Sequence, residues 1–323
     1  MTLKNRVLIG TAAALLVASL SPLALAQQKE PAPVRVIWFS PDPVMTIAKA
    51  RGLFAAQGVE LQITQTGSST QQMQGLSRGT YDIASTAFDN VLAWSGKEGA
   101  EIVTVAQTAD RVILPLFVRP EIKSLNDLKG KKLAVDAVDT AFALVLRRIL
   151  LTSGLDLKRG DFELVPAGAP AERVASMKSG DTYAGIINIP ADVQAKAAGL
   201  IPFQYQTDFL NNYPGTVLAV TRGWAKGHKK ELVGFLRAWR SALPWSKDPA
   251  NRDAAIKLIV AETKMNPESA SRLLSLSPKD GFLNLSGAKT VLDIRSEFSA
   301  PPLKGPALEA YVDLSYFREA APH

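Results

Sequence analysis

A two-lobed α/β fold, each lobe a mainly parallel sheet flanked by helices, is what this sequence predicts, on three observations. Apolar runs of strand period (Val59, Leu61 and Ile63; then Tyr81 and Ile83) are separated by runs of helical period, the pattern of βαβ units on a parallel sheet. The pattern stops at a short polar stretch, residues 122–132, and restarts at Leu133, so a second α/β lobe is the economical reading. Between the two, residues 112–118 are apolar but carry Pro115, which disfavours a central ladder position and fits a strand passing between lobes.

The amino-terminal residues set the compartment. Lys4 and Arg6 precede an apolar run, and Ala24-Leu25-Ala26 supplies a small-x-small cleavage pattern before Gln27, so residues 1–26 read as a secretory signal peptide. The run holds Ser19, Ser21 and Pro22 and falls short of the ~20 apolar residues of a membrane span. No later run is long and apolar enough to cross a bilayer. The 323 residues contain no cysteine, which excludes disulfides, thiolate metal sites, cysteine nucleophiles and lipid attachment at a new amino terminus. Loss of Lys4 and Arg6 takes the formal charge from +7 to +5. The remaining basic residues are scattered among acidic ones, a solvated surface without the clustered face that nucleic acid requires.

From Val34 the elements follow in order. Residues 34–39 form a continuously apolar strand apart from Arg35, as for a strand covered on both faces. Ser40-Pro41-Asp42-Pro43 ends it; Asp42 before Pro43 reads as a helix N-cap, with Val44, Ile47, Ala48 and Leu53 on the buried side and Gly58 as the stop. After a strand at 59–64, Ser69 and Gln72 stand at capping-box spacing and open a helix to Gly79. The next strand ends in Ser85-Thr86-Ala87-Phe88-Asp89-Asn90, where Thr86 and Asp89 repeat that spacing. Three successive strand-to-helix turns are thus built from Ser, Thr, Asp and Asn, a ligand cleft in outline, although caps alone give the same letters. Strands are expected at 102–107, 112–118, 133–136, 162–165, 184–187 and 216–220, with helices at 140–152 and 171–177. The chain is mainly helical after Trp224, and Leu232, Phe235, Leu236, Trp239 and Leu243 share one face of a helix ending before Pro244.

Catalytic chemistry is poorly represented. Gly75-Leu76-Ser77-Arg78-Gly79 matches the G-x-S-x-G elbow as a string, but it ends a helix before a strand, where the elbow must turn from strand into helix. A hydrolase of that type needs a histidine base after the serine, the only histidines are His228 and His323, and neither has the spaced partner of a catalytic zinc site. There is no P-loop and no dinucleotide fingerprint, so no cofactor is expected. Asp136 and Asp139 flank a turn as a carboxylate pair, though Asp139 before Thr140 also reads as a cap. The carboxylates Asp42, Asp89, Asp136 and Asp139 outnumber basic side chains at these turns, favouring a neutral or amine-bearing ligand over a strongly anionic one, although helix N-termini attract anions without arginine. Phe88, Trp38, Phe39 and Tyr213 adjoin the turns and could stack on a planar ligand, Trp38 reading more as core and Phe88 as the stronger candidate. Asn188 ends a strand of the second lobe.

Three strings carry a family resemblance: Gly52-Leu53-Phe54 with Gly58-Val59-Glu60; Gly79-Thr80-Tyr81-Asp82-Ile83-Ala84; and Leu125-Asn126-Asp127-Leu128-Lys129-Gly130-Lys131-Lys132-Leu133-Ala134-Val135. In order and spacing the chain resembles periplasmic substrate-binding proteins of ABC importers, in the branch with nitrate, taurine, alkanesulfonate and thiamine-pyrimidine-precursor receptors. The resemblance implies a type II binding-protein fold with crossover strands near 112–118 and 216–220 as the hinge. Lobe one would be residues 34–113 plus 221–323, and lobe two 114–220. It implies a ligand between the lobes, touched by Phe39, Ser40, Asp42, Ser68, Ser69, Ser85, Thr86, Phe88, Asp89, Asp136, Thr140 and Asn188, with Tyr213 beside the second crossover as an addition. It further implies a periplasmic monomer that is not an enzyme and that delivers a small molecule to an inner-membrane permease and its ATPase. A sensing subunit for a membrane signalling protein, or an enzyme on the same fold, are the alternatives. The cysteine-rich segment of thiamine-precursor relatives that perform chemistry is absent, and Ile189 stands where many relatives have tryptophan before the proline matching Pro190. The ligand class these features favour is a small polar organic molecule, planar and nitrogen-containing.

Overall fold

In the computed structural model, which describes residues 33–205, 208–210, 212–298 and 307–321, the alternating periods become two five-stranded sheets. The leader expected at residues 1–26 and the histidine at 323 lie outside the described residues. In chain order the strands are β1 (Val34–Trp38), β2 (Leu61–Gln65), β3 (Ile83–Ala87), β4 (Ile102–Gln107), β5 (Leu116–Val118), β6 (Lys132–Val135), β7 (Glu163–Pro166), β8 (Ala184–Ile186), β9 (Ile201–Phe203) and β10 (Thr216–Thr221). The sheet orders are β2-β1-β3-β10-β4 and β7-β6-β8-β5-β9.

The two sheets repeat one plan. β1 pairs parallel with β2 and β3, while β10 is inserted antiparallel between β3 and β4. Likewise β6 pairs parallel with β7 and β8, and β5 is antiparallel between β8 and β9. Four strands of each sheet therefore share a direction and one opposes them, so the sheets are mixed in pairing yet mainly parallel in sense. The opposing strand is in each case the one that has just arrived from the other sheet.

The crossings differ in detail from the expected hinge. Residues 112–115 are not strand, and β5 begins only after Pro115, which has no N–H to donate, while its carbonyl still accepts from Ile187 N–H at 3.0 Å. Thr216–Thr221, expected as the last strand of lobe two, pairs inside the first sheet, so lobe two ends before Thr216. Its residues Val217–Val220 are wholly buried, as a central strand with both faces covered must be. The crossings lie side by side: Thr108 N–H donates to Thr216 O at 2.7 Å and Gly215 N–H to Ala109 O at 3.0 Å. Gly215 has to be glycine here, because a Cβ would stand 2.5 Å from Arg111 O.

Helix boundaries follow local chemistry. Asp42 caps the helix Pro43–Ala50 by accepting from Met45 N–H at 2.7 Å. The single helix expected to reach Gly58 is broken at Gly52 (φ 70°), and a second short helix, Leu53–Ala56, follows. Pro244 does not end its helix; Lys229–Lys247 runs through it, with Leu243 and Ser246 buried on either side, so tertiary packing outweighs the missing N–H.

One face of the first sheet packs under the carboxy-terminal helices around Val36, Val44, Phe235 and Trp239. A second cluster is continuous from the other face of that sheet (Ile37, Ala84, Phe88) into the second (Leu133, Val135, Leu146). The helix Leu285–Phe298 joins them, packing on both Phe88–Trp94 and Ala141–Leu151 and placing Val291 and Ile294 in the shared cluster.

Candidate ligand-binding site

Where strands β1, β3, β6 and β8 end, the two sheets face each other across a cavity of about 140 Å³. This is where an α/β sheet is expected to hold a small molecule. The first lobe contributes Phe39 and Ser40 after β1, Ser69 at the start of its helix, and Ser85 and Thr86 in β3. The second contributes Asp136 and Thr140 after β6 and Asn188 after β8. Eight of the thirteen sequence candidates thus line one cavity.

Hydrogen bonds cross the seam at this cavity. Ser69 Oγ donates to Asp136 Oδ2 at 2.8 Å and Ser40 Oγ to the Ile189 carbonyl at 3.3 Å. Asp136 Oδ1 accepts from Thr140 Oγ1 at 2.5 Å, so both its oxygens receive hydroxyls. Farther out, Arg272 pairs with the buried Asp192 at 2.5 Å. The lobes also touch at Gly67, where a Cβ would lie 2.5 Å from Ala169 Cβ. Asn188 Oδ1 is buried without a partner, an acceptor that a ligand donor can satisfy.

A one-residue shift explains how Ser69 is free to do this. Ser68 is the actual N-cap of Ser69–Ser77, its Oγ accepting from Gln71 N–H at 3.2 Å. Gln72, expected in a capping box, is buried and donates to Ser85 O at 2.9 Å and Ile37 O at 3.3 Å, tying this helix to β3 and β1. Thr86 is likewise not a cap; its Oγ1 accepts from Asn90 Nδ2 at 2.9 Å, which leaves the Thr86 proton to donate.

Five candidates do not line the cavity, and each has another role. Ser68 is the cap just described. Phe88 and Tyr213 are core, 0% and 2% exposed. Asp89 is buried against Arg295, whose Nε and Nη2 meet its two oxygens at 2.5 and 2.6 Å. Asp42 is a cap whose Oδ1 also accepts from Trp239 Nε1 at 3.3 Å, with Oδ2 buried and unpartnered. Asp139, the other half of the expected carboxylate pair, is exposed and offers its carbonyl to Arg295 Nη2 at 2.7 Å. The carboxylate surplus that favoured a neutral or amine-bearing ligand therefore reduces to Asp136 alone.

Burial pushes the Asp42 carboxyl up to about 6, against the hydrogen bonds from Met45, Trp239 and Val44 that lower it. An unfolded aspartate titrates near ~4, so the folded chain holds this proton more tightly. The stability this group contributes is complete below about pH 4 and is lost as pH rises through about 6. Asp42→Asn keeps an acceptor for the cap without the buried charge. Urea titrations at several pH values are expected to show the slope between pH 4 and 6.5 flattened and stability at pH 7 raised, by up to ~3 kcal/mol.

Sequence reasoning missed the other half of the wall: Arg111, Ile113, Phe142, Arg173, Leu273 and Leu276. One signal was readable. Arg173 shares a helical face with Val174 and Met177, and a cation on an apolar stripe asks for a partner. Leu273 and Leu276, on and just after the helix Pro267–Leu274, come from over eighty residues beyond the nearest second-lobe contributor and have no local signature.

The family described as NMT1/THI5 like matches residues 44–251, well over half of the chain. Among solved structures, a protein from Bordetella bronchiseptica RB50 is 22% identical, covers 90% of this chain and 97% of its own, and superposes with a TM-score of 0.75. The alkanesulfonate-binding protein SsuA from Xanthomonas axonopodis pv. citri, bound to MOPS, is 18% identical over 90% and 98% at 0.69. The periplasmic nitrate-binding protein NrtA from Synechocystis PCC 6803 is 13% identical over 89% and 88% at 0.71. No curated relative matches the sequence. At these identities the likeness is one of fold, the two-lobed α/β fold of periplasmic binding proteins, and the extent of the sequence match supplies the rest: the chain belongs to the NMT1/THI5-like family.

Proposed function

We propose that this chain is a periplasmic solute receptor that captures a small organic molecule between its lobes and delivers it to the permease of an ABC importer. The observation that carries the reading is the cavity itself, walled by side chains from both sheets and lying beside the two paired crossings. Two lobes joined by two adjacent segments can bend about them, so a ligand bridging Ser40, Ser69 and Thr86 on one side and Asp136 and Asn188 on the other favours closure. A permease would read the closed form. The apparent leader at residues 1–26 supports export, and no helix among the described residues is long and apolar enough to cross a membrane. An alkanesulfonate-binding protein and a periplasmic nitrate-binding protein share the fold.

A thermal-shift screen of the mature protein, unfolded and refolded to strip carried-over ligand, tests this. Ligand at a hundredfold over its dissociation constant adds ~2.7 kcal/mol, expected to raise Tm by several degrees. The expected result is a shift from one chemical class, reduced in Asn188→Ala, with the compound recovered unchanged and its uptake lost in cells lacking the gene. A compound returned chemically altered, or normal uptake in those cells, would overturn the importer reading.

A further inference from the structure

Among the described residues, the wall of the cavity holds a buried cation with no counter-charge in contact. Arg173, on the helix Pro170–Ser179, is 4% exposed. Its Nη1 donates to Ile186 O at 2.8 Å, while Nε is buried with no acceptor. Asp136 and Glu172 act on it only through space, without an ion-pair contact. Burial lowers its pKa, but an arginine remains charged, so this guanidinium is held in a site where an unpaired charge is costly.

A second feature points to the same ligand chemistry. Thr140 stands at the N-cap of the helix Ala141–Leu151 but does not cap it; its hydroxyl goes to Asp136 and to Ala137 O at 2.9 Å. Thr140, Ala141 and Phe142 all line the cavity, so the uncapped first turn of an eleven-residue helix borders it. Backbone N–H groups and the helix dipole make that end favourable for an anion. The charged side chains of the lining are Arg111, Arg173 and Asp136, a formal sum of +1. One negative charge on the ligand brings the site to neutrality, whereas a neutral, zwitterionic or cationic ligand leaves it charged.

The rest of the wall is apolar: Phe39, Ile113, Phe142, Leu273 and Leu276. A cavity of about 140 Å³ is close to the ~150 Å³ apolar cavity that accepts benzene. We infer that the ligand is an organic monoanion the size of a substituted benzene, its oxyanion head held by Arg173 and the first turn of Ala141–Leu151 and its apolar body against Phe39, Phe142 and Leu273. This rests on the receptor reading and reverses the charge preference drawn from the sequence.

Titration calorimetry of the stripped, refolded mature protein with benzoate, benzenesulfonate, benzamide and benzylamine tests it. The two anions are expected to bind at least about tenfold more tightly than benzamide, the size of effect of one hydrogen bond to a charged group, and benzylamine most weakly. In Arg173→Gln the preference for acid over amide falls to near unity with benzamide affinity retained; Arg173→Lys keeps part of it, having charge but no planar fork. The wild-type comparison needs no variant, so a misfolded Arg173→Gln leaves the test standing. Benzamide or benzylamine binding as tightly as the anions overturns the anion assignment but leaves the receptor reading. Binding of none of the four, with a thermal shift from a compound outside this class, does the same; no binding of any class overturns both.

Discussion

Replacing Arg295 with alanine is expected to lower the unfolding free energy by about 3–5 kcal/mol, the cost of breaking a buried ion pair from one side. Arg295 is 7% exposed and makes a two-point contact with Asp89, itself 2% exposed. Burial pushes the Asp89 carboxyl up and the Arg295 guanidinium pulls it back, so removing the guanidinium leaves a carboxylate with neither water nor a counter-ion. Its only escape is to take a proton. Chemical denaturation of Arg295→Ala at pH 7.5 should show the full loss, with part of it recovered at pH 5.5. The double variant Asp89→Leu/Arg295→Met is expected to recover most of the loss, since an apolar pair of similar volume carries no desolvation penalty. If the double variant is as unstable as the single one, the pair is not what holds the helix Leu285–Phe298 in place.

The same guanidinium donates to the Asp139 carbonyl in the second lobe, while its helix, Leu285–Phe298, packs on both lobes. Arg148 reaches Glu297 at 2.9 Å from the second lobe to the end of that helix. That pair is half exposed and contributes little, about 0–1 kcal/mol, so the buried contacts dominate. The turn held by Arg295 leads directly into Thr140 and so to Asp136 and Ser69, which places this contact one turn from the ligand cavity.

How much of this was legible follows from what each residue's environment is made of. β1, β3 and β6 were readable because a buried strand leaves a short apolar run bounded by turn residues. The place of β10 was not, because its continuous apolar run says that it is central without saying in which sheet. The turns were found and the atoms within them were not: a cap and a ligand contact use the same Ser, Thr and Asp, and which does which depends on one residue of phase, as at Ser68 and Ser69. Asp89 and Asp42 look alike in sequence at strand ends, but partners 206 and 197 residues away decide that both are structural. The charge of the site was misread for the same reason. Its carboxylates were counted by sequence neighbourhood, while its buried cation, Arg173, sits within a helix.

Phe88 makes the difference measurable. As the aromatic nearest the polar turn it was the strongest stacking candidate, yet it is 0% exposed and packs in the cluster that joins the two sheets. Phe88→Ala is therefore expected to cost about 3–5 kcal/mol by loss of burial and an unfilled cavity, while the folded protein keeps its ligand affinity within about twofold, since no atom of Phe88 lines the site. Phe142, half-buried on the first turn of its helix and lining the cavity, should behave in the opposite sense. Phe142→Ala is expected to weaken binding by about tenfold or more, for the loss of most of an aromatic contact worth ~1.5 kcal/mol or above, with a smaller change in stability. Calorimetric titration and urea denaturation on the two variants separate the roles. Affinity falling in Phe88→Ala and not in Phe142→Ala would return the site to the turn after β3, where the letters alone had put it.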